Sequence, residues 1–154
     1  MQKIKINEQA IVSHSFCPRK SYQILFKSQK GETKKYSDYL EKRIQCREKE
    51  FFSLRKDSLS FSSDKLLGKA QIIKNANIKI RNLEVQRVHL QKRDVKSKLG
   101  NYHYEPLIFS SSDVIIPQDR IKASYIGTIL SEIQGLSPQK ANIILINGKK
   151  NPLD

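Results

Sequence analysis

Hydrophobic positions along this chain switch between helical and strand periods, with polar stretches between. Residues 1–15 are polar with scattered Ile and Val and offer little pattern. Ser15-Phe16-Cys17-Pro18 reads as a cap with proline in the first helical turn, opening a short helix that ends at Phe26 or Lys27. Beyond a break at Gly31, Tyr36, Leu40, Ile44, Phe51 and Leu54 share one stripe of a helix from Tyr36 to about Lys56. Arg47 interrupts that stripe, either as a paired charge or, as is commoner, at its wet edge. Serines dominate 57–63, and Asp64 can cap a second helix up to about Asn75.

From Asn77 the period changes to two. Ile78 and Ile80 alternate with Lys79 and Arg81, Leu83 and Val85 take the opposite parity, and Val88 and Leu90 shift it again. Those shifts predict a turn near Arg81-Asn82 and a bulge near Gln86-Arg87. Lys92 to Asn101 reads as a basic connection, and Tyr102 to Phe109 as the next strand. Pro117 starts a helix with Ile121, Tyr125, Ile129 and Ile133 on one stripe, stopped by Gly135 and Pro138. Ala141 to Ile146 is a short buried strand, and Asn147-Gly148 a strong hairpin signal with only six residues after it. Either a lone turn ends the domain, or the chain is the front piece of something longer. The expected fold is one α/β (α+β) domain over 1–154: a segment 1–15, a helical part 16–75, and a sheet-and-helix core 77–148. A small mixed sheet flanked by helices is the architecture.

Charge then narrows the function. The chain carries 29 Lys+Arg against 15 Asp+Glu, a net +14, and all of the surplus lies in residues 1–100. Phosphate backbones are the usual counterpart of such a polycation, and a merely lysine-rich surface is the plain alternative. Arg19, Lys20, Lys27, Lys79, Arg81, Arg87, Lys92, Arg93, Lys96 and Lys98 are the candidate phosphate contacts. Tyr102 is a candidate stacking platform, and Tyr102 and Tyr104, of one parity, are equally suited to packing on the sheet. No base-reading motif accompanies them. Two cysteines do not make a disulfide framework, which points to a reducing, cytoplasmic setting. No apolar run approaches the roughly 18 residues of a membrane span. His14, His89 and His103 lack the spacing of a metal site.

Three stretches carry a family resemblance. Phe16-Cys17-Pro18-Arg19-Lys20-Ser21-Tyr22 resembles the Cys-Pro-Arg-Lys opening of RecB-like exonucleases of the PD-(D/E)XK superfamily. The helix around Arg47-Glu48 resembles the family's His-Glu helix, with arginine in the histidine place. The 96–109 and 121–135 blocks resemble the two parts that frame the active site in RecB-like putative nucleases. The resemblance implies a restriction-endonuclease-like core with a metal-binding aspartate at Val88 or His89. It implies an acidic-x-lysine near Leu107-Ile108-Phe109-Ser110, a glutamine near Lys122, and a tyrosine near Tyr125 or Ile126. Iron–sulfur members use the cysteine matching Cys17 as one of four cluster ligands, so with two cysteines here Cys17 could ligate only if a partner supplied the others. Otherwise it reads as a small buried residue.

Hydrolysis of a phosphodiester in this superfamily needs carboxylates around a hard divalent ion and a lysine beside the nucleophile. Val88 and Phe109 cannot supply that chemistry, and His89 is a poor magnesium ligand. The expectation is therefore a nucleic-acid-binding relative, inactive by itself, with DNA favoured over RNA and no cofactor. The further partner that the hairpin signal points to is a larger protein completing the fold past Asn147-Gly148. Two alternatives stay open. One is an active Mg- or Mn-dependent nuclease using Glu48, His89 and Glu105; the other is a basic assembly subunit for an acidic protein or structured RNA.

Overall fold

Asn7, at the end of the two-residue strand β1 (Ile6–Asn7), caps the helix α1 (Glu8–Phe16), its side-chain oxygen accepting the Ala10 N–H at 2.8 Å. These elements fill the segment expected to be patternless, in a computed structural model that describes residues 4–26, 35–55, 58–60 and 70–154. The helix is hard to read from sequence because its buried contacts come from Ala10 and Ser13 rather than from a stripe of large side chains. Cys17 ends α1, and α2 (Pro18–Phe26) begins at the proline, as expected. Cys17 is exposed, which corrects the reading of it as a small buried residue. Lys27 lies outside the described residues.

Helix α3 (Lys35–Ser53) begins where predicted and ends at Ser53, short of the predicted Lys56. Ile44, Phe51 and Phe52 turn toward the sheet, while Tyr36 and Leu54 of the predicted stripe are exposed. Arg47 is paired, not at a wet edge. Its Nε and Nη2 donate to Ile146 O at 3.0 and 2.7 Å, and Nη1 meets Glu50. Strand β2 (Ser58–Ser60) runs parallel to β3 (Ile72–Ile80). The helix expected up to Asn75 is therefore corrected at Ile72–Asn75, which are strand; residues 61–69 lie outside the described residues. Two positive φ values explain the misreading. Asn75 (52°) disturbs the register between Ile73 and Ala76, and Arg87 (55°) does the same in β4 (Leu83–Arg93). Arg87 is the predicted bulge, its N–H donating to Asn77 Oδ1 at 3.0 Å. Arg81-Asn82 is the predicted turn between β3 and β4.

β4 runs on through Lys92 and Arg93, which the sequence pattern assigns to the connection. Both are strand because Gln91, Lys92 and Arg93 pair with Glu105, Tyr104 and His103 of β5 (His103–Phe109). Helix α4 (Pro117–Gln134) follows, with Asp119 accepting the Ile116 N–H at 3.2 Å and the Ser110 hydroxyl at 2.7 Å. Gly135, at φ 64°, ends it. β6 (Ala141–Ile144) lies parallel to β5, and the Asn147-Gly148 turn leads into β7 (Lys150–Leu153). That return strand is four residues long and pairs antiparallel with β6.

The sheet order is β2-β3-β4-β5-β6-β7, with β1 alongside β4. Alternation divides the sheet cleanly. Ile73, Val88, Leu90, Tyr104, Ile108 and Ile143 face α1 and α4 in the larger core. Ile72, Leu107, Phe109 and Ile144 face α3 in the smaller one. No helix among the described residues is long and apolar enough to cross a membrane.

Candidate functional site

The α3 side of the sheet carries the chemistry. Alternation along β4 points Val88 into the α4-side core and His89 toward α3, so only His89 of those two positions can meet Glu48. The backward-turned Asn75 donates its N–H to His89 Nδ1 at 3.3 Å. That bond makes Nδ1 the acceptor of the neutral ring and leaves Nε2–H facing Glu48 Oε1, 3.4 Å away. Phe52 and Phe109 flank the imidazole with ring centroids 4.9 and 5.4 Å distant. Lys74 Nζ lies 4.6 Å over the outer ring, Phe52. His89 is 4% exposed. The result is an oriented carboxylate–imidazole pair enclosed by aromatic rings.

Leu107 and Phe109 stand on the same face of β5, across from that pair: Leu107 is the direct partner of His89. Their side chains join Phe51 and Phe52 in the smaller core. Apolar volume therefore fills the β5 positions where the resemblance puts an acidic residue and a lysine. Glu48, His89 and Glu105 do not form a trio. Glu105 pairs with Gln91 two residues along β4, and its Oε2 accepts from Arg93 Nε at 2.8 Å and Asn142 Nδ2 at 3.2 Å. No group of three or more His, Cys, Asp or Glu among the described residues is arranged to hold a metal ion. On the opposite layer, Lys122 pairs with Glu8 at 3.0 Å. The Tyr125 hydroxyl lies 2.7 Å from Ile6 O and 3.0 Å from Glu84 O, and it accepts the Glu84 N–H. Both serve the α1–β1 seam rather than the Glu48–His89 pair.

Glu105 belongs to a second polar cluster with His103, Arg93, Asn142, Gln91 and Lys150. Lys150 Nζ donates to Gln91 Oε1 at 2.9 Å. Burial first, then the repulsion of Arg93 and Arg55, lowers the Lys150 pKa below its ordinary value, with Glu105 acting in the other direction. The sequence signal for this cluster is the shared parity of His103 and Glu105; the basic residues around it come from β4, β7 and the loop before β6.

The predicted basic residues do not form one surface. Arg19, Lys20, Lys79, Arg81, Arg87, Lys96 and Lys98 are exposed. Arg81 turns to Glu132 of α4 at 3.2 Å, whereas Arg87 turns to Glu41 of α3 at 3.9 Å, on the other side of the sheet. Lys92 is largely covered, 3.0 Å from Asp94 and over the Tyr102 ring. Tyr102 is corrected as a stacking platform. It is 3% exposed and packs edge-on against Tyr104, with the apolar core on the α4 side.

No protein-family model and no curated protein matches this chain.

Proposed function

We propose that this chain is a nucleic-acid-binding protein built on a RecB-like nuclease framework, without hydrolytic activity of its own. The observation that carries this reading is the content of the α3-side face. His89, Leu107 and Phe109 stand where the resemblance calls for oxygen ligands and a lysine, and Phe51 and Phe52 pack into the space between. A hard divalent ion needs several oxygens there; among the described residues Glu48 is the one carboxylate paired with His89, and it faces the imidazole. The framework supports the same reading, because two paired antiparallel strands are followed directly by a helix on the opposite face.

The ligand side of the proposal rests on charge. A net +14 concentrated before residue 101 suits a polyanion, and DNA in a cytoplasmic setting is the favoured one. The contacts are backbone-directed and drawn from Lys74, Lys79 and Arg87 near α3; Arg19 and Lys20, on α2, lie apart from that line.

A salt titration of binding to labelled single- and double-stranded DNA and RNA, with and without Mg or Mn, tests it. Binding that weakens steeply with salt, and leaves the strands intact under metal, is the expected result. Metal-dependent cleavage abolished by Glu48→Gln would replace this reading with an active nuclease. Absence of binding at low salt would leave the assembly role.

A further inference from the structure

Where β4 and β5 end beside the loop before β6, His103 and Glu105 lie in the wall of a recess of about 340 Å³ that also touches Arg93, Val95, Gln139 and Lys140. His103 is 1% exposed, and neither ring nitrogen has a hydrogen-bond partner among the described residues. Glu105 Oε1 stands 3.8 Å from Nε2, beyond hydrogen-bond reach. Buried polar atoms are nearly always paired, so an imidazole with one donor and one acceptor both unused is the mark of a group held for a ligand. Glu105 stands beside it in the wall of the recess. Arg93 and Asn142 both donate to its Oε2 and fix the carboxylate, while Oε1 takes no donor among the described residues.

The charges around the recess select the kind of ligand. Arg93 is paired with Glu105, Lys140 with Asp154 at 3.4 Å, and Asp94, also in the wall, with Lys92 at 3.0 Å. A balanced lining with two carboxylates disfavours a phosphate. It suits an uncharged ligand that offers donors and acceptors together, and Val95, 45% exposed, adds an apolar wall for a flat ring. The volume lies near the lower end of ligand pockets, about 300–1,000 Å³, which fits one heterocycle.

We propose that this recess takes a single unstacked nucleobase bearing an exocyclic amino group, from a single strand. The proposal rests on the nucleic-acid reading above and supplies the base contact that the sequence motifs lack. The amino group of cytosine would donate to Glu105 Oε1, with the one N–H of the His103 ring donating to the base's ring nitrogen and Arg93 or Lys140 donating to the base carbonyl. Thymine or uracil would set a carbonyl oxygen against the carboxylate and lose that bond.

Oligo(dC) and oligo(dT) of equal length carry the same phosphates, so comparing them isolates the base. Fluorescence anisotropy at one salt concentration should show oligo(dC) bound at least about fivefold more tightly by the full chain. His103→Phe, which keeps the ring volume, should abolish the preference while retaining salt-sensitive binding. Lys140→Gln, at the half-exposed rim, should reduce it without disturbing the buried groups. Circular dichroism would verify that both variants fold. Equal binding of the two oligomers by the wild type, or a preference that survives both variants, would overturn the base pocket and leave the nucleic-acid reading standing. Binding of neither oligomer at low salt would sink both.

Discussion

Gln134 shows how one side chain can stand in for a strand. β5 pairs with β6 only from Leu107 onward, so Tyr104, nearer the start of β5, has no β6 partner for its backbone on that side. The Gln134 carbonyl accepts the Tyr104 N–H and its amide donates to Tyr104 O, both at 3.0 Å, in a site 1% exposed. Gln134→Leu should therefore cost about 2–4 kcal/mol, because two buried backbone groups lose their partners at once. Urea denaturation would measure it, and a loss under about 1 kcal/mol would mean water replaces the amide. Tyr104 makes a second prediction. Burial, reinforced by Tyr102, pushes its phenol up to about 12 from 10.0, and its hydroxyl donates to Ala70 O at 3.1 Å. The folded state holds this proton more tightly than the unfolded one. Its contribution is thus fully present below pH 10 and is lost as the pH rises from 10 to about 12. Tyr125 shifts in the same direction, again chiefly through burial, so Tyr104→Phe should flatten the alkaline fall in stability without removing it. An unchanged slope in that variant would place the effect elsewhere.

At the scale of elements, α3 is attached to the sheet by few but distinct contacts. Phe51 and Phe52 fit edge-on or tilted against Phe109, and Arg47 donates twice to Ile146 O. Arg47→Met keeps much of the stem and removes both donors, leaving a partly buried carbonyl short of partners. Amide hydrogen exchange in α3 should accelerate about tenfold or more, while α4, anchored by the larger core, should hold its rate. Equal acceleration in both helices would mean that α3 and the sheet open as one unit. These attachments also mark where the sequence was legible. α2, α3 and α4, the Arg81-Asn82 turn and the parity of β5 follow from caps, stripes and alternation, which are local. The start of β3 is hidden because the bulge at Asn75 breaks the alternation that would announce it. The end of β4 is hidden because polar Gln91, Lys92 and Arg93 are strand only through their pairing with β5. The site divides the same way. That His103 and Glu105 share a face is readable from alternation. That Glu105 stands apart from Glu48 and His89, and that Phe51 and Phe52 fill the gap, depends on how α3 crosses the sheet.

Taken whole, the molecule sorts its polar groups by side. The α4 side of the sheet is an apolar core closed by α1 and α4, with Tyr125 stitching β1 to β4. The α3 side holds the enclosed Glu48–His89 pair, the exposed Lys79 and Arg87, and the polar array from Gln91 to His103. A polyanion crossing that face would meet cations first and the recess at its far end. Arg19 and Lys20 lie instead on α2, which packs against α1 beyond the other face. The two groups therefore give separable predictions for salt dependence. Each phosphate contact removed should lower the slope of log affinity against log salt by about one. Lys79→Gln with Arg87→Gln should take roughly two from the slope and weaken oligo(dC) and oligo(dT) alike, since phosphate contacts carry no base preference. Arg19→Gln with Lys20→Gln should leave the slope unchanged. If the second pair proves to be the sensitive one, the strand runs along α2, and the α3 side loses its place as the binding face because one short strand cannot follow both sides of the sheet at once.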